Sequence, residues 1–179
     1  MDTEDLSKLV ELHGNAVYAF CHRLTGCRTD ADDLYQETFL KAMELCHKID
    51  QGNNPKGFLI SITIGIWKNK RRKYARRKRI APMEELDEAV TGSYTSKNEP
   101  TPEEMVISNE LRFMIQNAAD TLNDKLKIPL YMYYTAEMSS EDIALSLKIP
   151  QGTVKSRLYK ARKVLKSILE LEVSEYEKL

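Results

Sequence analysis

Two stretches of the chain gather cations in patterns suited to a polyanion. The first, "WKNKRRKYARRKR" from Trp67 to Arg79, places nine Lys or Arg among thirteen residues and interleaves Trp67 and Tyr74. Cations bind phosphates and aromatic faces stack on exposed bases, the combination that partly single-stranded nucleic acid requires. A charge run taken alone is usually a solvated helix end or a localisation-like tract. This run continues the strongly apolar "FLISITIGIW" and carries aromatics, which favours a nucleic-acid surface. The second stretch, "PQGTVKSRLYKARKVLK", reads as a helix with two incompatible faces. Val154, Leu158, Ala161 and Leu165 follow the spacing of a buried stripe. Lys155, Tyr159, Arg162 and Lys166 follow the same spacing one step round, with Ser156, Lys160 and Lys163 beside them. That second face offers phosphate clamps and base-edge donors to a major groove.

The residues before the second stretch position it. In "MSSEDIALSLKIPQGTVKSRL" Ser139 is an N-cap candidate with Asp142 three residues on, a capping-box variant. Ile143 and Leu147 share a face with small Ala144, which lets a second helix approach. Ile149 and Val154 supply an apolar plug across a short turn, and Pro150 stops the first helix. A basic amphipathic helix is ordinarily a solvated face; cap, small residue, turn and plug at these spacings point instead to a DNA-binding helix-turn-helix.

Upstream, Leu6, Leu9, Val10, His13, Val17, Phe20, Cys21 and Leu24 keep the three-four spacing of an amphipathic helix, broken at Gly26. Thr29 is read as the cap of a second helix with Asp30, Asp32 and Asp33 in its first turn, where the dipole favours anions. Its buried stripe is Ala31, Leu34, Tyr35, Thr38, Phe39, Ala42 and Met43. After "DQGNNPKG", Pro55 suits the first turn of a third helix running to about Arg79. Periodicity lapses over residues 80–105, rich in acid, Ser, Thr and Pro, as expected of a linker. A further helical segment runs from about Val106 to the end. The fold class expected is all-α: residues 1–80 as a three-to-four-helix bundle, 81–105 as an acidic flexible linker, and 106–179 as a helix-turn-helix domain.

The 179 residues carry 27 basic and 27 acidic side chains, a formal net charge of zero. Locally the balance is far from zero: −5 over residues 1–50, +10 over 51–81, −7 over 82–110 and +2 over 111–179. A neutral total therefore says nothing against a polyanionic partner. An acidic linker after a basic helix could compete for that helix or serve solubility alone. The apolar run of ten residues is too short for a bilayer span, and the acidic start "MDTEDLSKLV" is unlike a signal peptide. Cys21, Cys27 and Cys46 are odd in number without a secretion signal, which fits reduced thiols in a cytoplasm. Cys21-His22 and Cys46-His47 match no standard zinc spacing and fall within helical periodicity, so the thiols are read as small hydrophobes. No metal site and no cofactor are expected. No nucleophile–base pair, carboxylate cluster or phosphate-cradling glycine loop stands out, so an enzyme such as a recombinase, or a thiol-based metal sensor, ranks below a binding protein.

With these residues in place, the chain resembles the extracytoplasmic-function sigma factors of bacterial RNA polymerase over nearly its whole length. The segments that carry the likeness are "DADDLYQETFLKAM" and "IPQGTVKSRLYKAR". The resemblance implies sigma region 2, a linker and sigma region 4. It places Asp32, Asp33, Gln36 and Glu37 against the clamp helices of the polymerase largest subunit, with the flap as a further polymerase contact. It places Asn53, Asn54, Lys56, Ser61, Lys68, Asn69, Arg72 and Lys73 at the −10 promoter element. In region 4 it places Lys155, Ser156, Tyr159 and Lys160 near the −35 element, with Thr153 and Arg157 on phosphates. An anti-sigma factor is the regulator so implied. Two departures mark this chain. Where the family often reads "LYRIAxNxxxD", this chain has "LISITIGIWKN", with Ser61, Gly65 and Asn69 at the Arg, Asn and Asp positions. Lys148 stands where the turn usually has Gly, so it must adopt positive φ or another turn geometry. The expected function is promoter recognition without catalysis; the rival is an ordinary helix-turn-helix regulator that needs no polymerase face.

Overall fold

The computed structural model describes residues 3–45, 54–80 and 113–176, with side chains at 7–45, 54–79 and 113–170. Among the described residues every regular element is an α-helix: α1 (Thr3–Thr25), α2 (Arg28–Glu44), α3 (Pro55–Ile80), α4 (113–120), α5 (Asp124–Tyr134), α6 (Ser140–Leu147) and α7 (Gln151–Tyr176). Two compact units divide the chain, Met1–Gly92 with Tyr131–Ile149, and Ser93–Leu130 with Pro150–Leu179. The expected linker, 81–105, lies outside the described residues, as do Asn53, Cys46 and His47.

In the first unit α1, α2 and α3 pack pairwise into a bundle. Its core is Leu9, Val17, Phe20, Cys21 and Leu24 from α1, Ala31, Leu34, Phe39 and Ala42 from α2, and Leu59, Ile60, Ile64 and Trp67 from α3. Each large side chain among them removes enough apolar surface to contribute about 1.5–3 kcal/mol. Gly14 lets α1 and α2 approach, since a Cβ there would meet the Tyr35 hydroxyl at 2.8 Å. Tyr35 lies edge-on to Tyr18 and against Phe39. Thr38 and Thr63, both fully buried, face each other at the α2–α3 seam with their hydroxyl oxygens 3.2 Å apart. Thr63 donates to the Leu59 carbonyl and Thr38 to that of Leu34, so neither leaves a buried donor unmet.

Most of the expected stripes are found, with four corrections. Val10 of the α1 stripe is exposed, only Asp30 of the three aspartates lies in the first turn of α2, and two more concern its cap and its last turn. The cap of α2 is Cys27, not Thr29: its backbone is extended and its sulfur accepts from the Asp30 N–H at 3.4 Å. A thiol is a weak acceptor, so composition favoured the threonine two residues on. Met43 is half exposed rather than buried, because the α2 stripe rotates outward after Ala42. Cys21 is fully enclosed, and burial pushes its thiol pKa up to about 12. Cys27 is partly exposed.

α6 starts as its sequence requires. Ser139 accepts from the Asp142 N–H at 3.0 Å, and its hydroxyl donates back to the Asp142 carboxylate at 2.6 Å. The helix ends on Lys148 at φ 54°, ψ 47°, with Ile149 N–H on the Ala144 carbonyl and Lys148 N–H on that of Leu145, the Schellman pattern. The lysine therefore takes the left-handed backbone that glycine adopts without strain. In the second unit, the Pro150 carbonyl accepts from the N–H groups of Thr153 and Val154, opening α7 immediately after the turn.

Replacing Lys148→Gly should relieve the left-handed strain and raise stability by about 0.5–1 kcal/mol, read as a higher urea midpoint at unchanged slope. The histidines set a pH dependence. Burial lowers the His13 pKa, with help from the Lys56 charge, and lowers that of His22, with help from Arg23. The unfolded chain thus binds protons near pH 6.5 while the folded chain does not. This contribution is complete above pH 6.5 and drains as pH falls through the lowered folded values. Melting temperature should fall on acidification below pH 6.5, with a shallower slope in a His13→Gln/His22→Gln variant.

Candidate nucleic-acid interface

α3 is one uninterrupted helix with two characters. Leu59, Ile60, Thr63, Ile64 and Trp67 hold its first half in the bundle, while residues 68–79 are all exposed. The cations thus project from an anchored rod rather than a loose tail. Their position toward its C-terminal end suits the helix dipole. Lys68, Asn69, Arg72 and Lys73 are exposed, and Ser61 is half-buried with its hydroxyl donating to the Phe58 carbonyl. Gly65, on the Ser61–Asn69 line, is exposed with nothing within 4 Å of a built Cβ, leaving bare backbone there.

The aromatics divide. Trp67 is only 7% exposed, and the Arg71 guanidinium lies 4.7 Å from its ring centroid. It is core with a cation–π lid, not a platform for a base. Tyr74, 59% exposed, keeps an accessible ring.

At the start of α3, Asn54 is the capping residue. It adopts φ 58°, its side-chain oxygen accepts from the Gly57 N–H at 2.7 Å, and its carbonyl accepts from Phe58. Its side-chain amide nitrogen donates to Asp142 Oδ1 at 2.8 Å, and Lys56 Nζ donates to the Glu137 carbonyl at 3.2 Å. Both expected DNA-reading side chains therefore have protein partners.

The four candidate docking residues of α2 do not stand alike. Asp32 is half-buried and accepts from the Tyr18 hydroxyl at 2.7 Å, which ties it to α1. Asp33 and Gln36 are exposed. Glu37 is exposed but pairs with Lys70 of α3 at 2.9 Å. Leu40, 62% exposed, continues the same line one turn on, followed by Met43. Sequence reading missed Leu40; the available signal was an apolar side chain out of phase with the buried stripe. It also missed Lys70 and Arg71, which vanish among identical neighbours in a charge run.

On α7, Val154, Leu158 and Ala161 are buried and Leu165 half-buried. Lys155, Ser156, Tyr159 and Lys160 are exposed, and Thr153 and Arg157 lie half-buried at the border. The Ser156 hydroxyl donates to the Thr153 carbonyl, while Lys166 pairs with Glu170. The helix thus presents a mixed cationic and hydroxyl face backed by a strictly apolar one. Among the described residues no group of three or more His, Cys, Asp or Glu is placed to hold a metal ion. No helix among them is long and apolar enough to cross a membrane.

Comparison with known proteins agrees with this geometry. Residues 9–77 match the model for Sigma-70 region 2, and residues 112–165 that for Sigma-70, region 4. The chain is 29% identical to the ECF RNA polymerase sigma factor SigE of Mycolicibacterium smegmatis, over 94% of this chain and 63% of that one, so it spans under two thirds of that relative. It is 28% identical to the ECF RNA polymerase sigma factor SigW of Bacillus subtilis, over 94% of this chain and 90% of that one. The fold is shared with the sigma factor RpoE of Bartonella quintana, solved in complex with the anti-sigma factor NepR: TM-score 0.76 at 23% identity, covering 94% of this chain and 98% of the other. CnrH, solved with the cytosolic domain of CnrY, gives 0.66 at 18% identity, covering 95% and 90%. Bundle, cationic helix and helix-turn-helix, in the order these regions take, make the chain a member of the sigma-70 family of RNA polymerase sigma factors, of the extracytoplasmic-function type, whose work is promoter-specific initiation of transcription.

Proposed function

We propose that the α2 line Asp33–Gln36–Glu37, extended by Leu40, docks on the clamp helices of the core polymerase largest subunit. The exposed face of α3 then takes the −10 element, and α7 takes the −35 element. One observation carries this reading: a single bundle exposes an acid–amide–leucine line on α2 and an unbroken cationic rod on α3. A regulator that only held duplex DNA would have no use for the first. Asp32 supports the face from behind, through Tyr18, rather than meeting the partner.

The chemistry is binding throughout, and the chain performs no catalytic step. α7 holds duplex DNA by groove contacts from Lys155, Tyr159 and Lys160, with Thr153 and Arg157 on phosphates. Lys68, Asn69, Arg72 and Lys73 attract the opened strand, and Tyr74 offers it a stacking face. Each base held out of the stack returns part of the cost of melting, about a few kcal/mol. Engaging both elements makes the second contact intramolecular, which gives specificity without a large affinity at either. The reading includes a cytoplasmic location, the polymerase flap as a further contact, and control by an anti-sigma protein. The last is supported by the structural relative solved with the anti-sigma factor NepR.

Transcription with purified core polymerase tests the proposal. The chain should direct transcripts from specific promoters, and Gln36→Ala/Glu37→Ala or Leu40→Asp should weaken core binding about tenfold or more, roughly 1.4 kcal/mol. Lys155→Ala/Lys160→Ala should leave core binding intact and abolish −35-dependent transcripts. Duplex binding should lose affinity steeply with salt, by a log–log slope of roughly −0.9 per phosphate neutralised. A chain that binds promoter duplex alone yet never associates with core would be a simple regulator instead.

A further inference from the structure

The start of α3 meets α6, both in the first compact unit, through polar groups more than eighty residues apart in the chain. Asn54 spends its side-chain oxygen on capping α3, so its NH2 group is the donor it has left to offer outward. That group points at Asp142 Oδ1, 2.8 Å away and 88 residues along the chain. Lys56, one helical position on from Pro55, puts its ammonium on the Glu137 carbonyl, 81 residues away. Glu137 presents that carbonyl from a left-handed backbone, φ 50°, which an L side chain adopts only under constraint. Gly57 completes the seam. A Cβ there would lie 2.5 Å from the Ser146 hydroxyl and 2.5 Å from the Asn54 amide nitrogen. α6 therefore meets α3 where the latter has no side chain.

We propose that α6 is an internal latch over the −10 surface: the Asp142 carboxylate and the Glu137 carbonyl occupy the Asn54 amide and the Lys56 ammonium, standing in for the oxygens of the promoter strand. This deepens the proposed −10 contact of α3 by taking Asn54 and Lys56, which the family resemblance places at that element, as further donors to DNA. A carboxylate and a carbonyl are acceptors of the same kind as phosphate and base-edge oxygens, so protein and nucleic acid compete for the same donors. The latch is reversible because both hydrogen bonds lie at a partly exposed seam, where water can replace them. Asp142 joins the two roles, since the carboxylate that receives Asn54 also accepts from the Ser139 cap of α6. A partner that draws α6 away frees Asn54 and Lys56 together. The apparent affinity of the free chain for single strands is lowered by the fraction of time the seam is closed.

The test uses the full chain, a short fluorescein-labelled single-stranded DNA of mixed sequence, and hydrogen exchange of the peptide containing Gly57 and Phe58. Asp142→Ala keeps the Ser139 cap, which uses the Asp142 backbone N–H. It should speed exchange at Gly57 and Phe58 and tighten DNA binding about three- to tenfold. Asp142→Asn keeps an oxygen for Asn54 and should tighten binding much less. Glu141→Ala, which removes a neighbouring charge of the same sign, should leave exchange at Gly57 and Phe58 unchanged. Gly57→Ala, adding a methyl where Ser146 and Asn54 already stand, should reproduce the opened state with no change of charge. Equal tightening by Asp142→Ala and Glu141→Ala would mean bulk charge alone and would overturn the latch, as would unchanged exchange in Asp142→Ala. Faster exchange with unchanged DNA affinity would show a latch that masks nothing and would overturn the proposal while leaving core binding and promoter use intact. Failure of every form to bind DNA or core would overturn both readings.

Discussion

A helix bearing nine like charges in thirteen residues repels itself at every turn, and it holds because its other half is nailed into an apolar bundle. Leu59, Ile60, Ile64 and Trp67 fix the direction of α3, and the cations follow as a rigid extension. Nucleation, the costly step in making a helix, is completed inside the core, so the charged turns need only propagate. The dipole at the C-terminal end offsets some of the repulsion. Remove the anchor and the same residues become a disordered basic tail, able to attract DNA but not to present it with a fixed surface.

The same bundle explains why two faces of opposite sign can coexist a helix apart. α2 and α3 share a seam whose interior is the Thr38–Thr63 pair and whose rim is the Glu37–Lys70 ion pair. The rim pair joins an acidic residue of the proposed docking line to a lysine of the cationic rod. As an exposed pair it adds little stability, yet it ties the acidic line of α2 to the cationic rod of α3. Through this pair Lys70 reaches back from the cationic rod to α2.

Much of this was legible in the residues. Periodicity gave α1, α2 and α7 with most of their buried stripes, Pro55 marked the start of α3, and Ser139 was read correctly as the start of α6, because caps act through local backbone chemistry. α6 ends on the left-handed Lys148, one of the two geometries expected there, before Pro150 can stop it. The misreadings share a cause, which is that a side chain's role depends on its neighbours in space. Trp67 looked like a stacking platform but is lidded by Arg71; Cys27 outcompeted Thr29 as a cap; Met43 turned outward; and exposed Leu40 escaped notice beside Gln36 on α2. Asn54 and Lys56 were placed at DNA by the family resemblance, but no local pattern could reveal partners more than eighty residues away.

The chain has a single tryptophan, and it sits where α3 passes from the core into solvent. Its indole is enclosed on the bundle side and capped by one guanidinium on the other. Emission from this one fluorophore therefore senses two events at once: loosening of the bundle, and any pull on Arg71 when a polyanion arrives along the rod. Nature has, in effect, placed an optical gauge at the junction between scaffold and ligand, readable with no label attached.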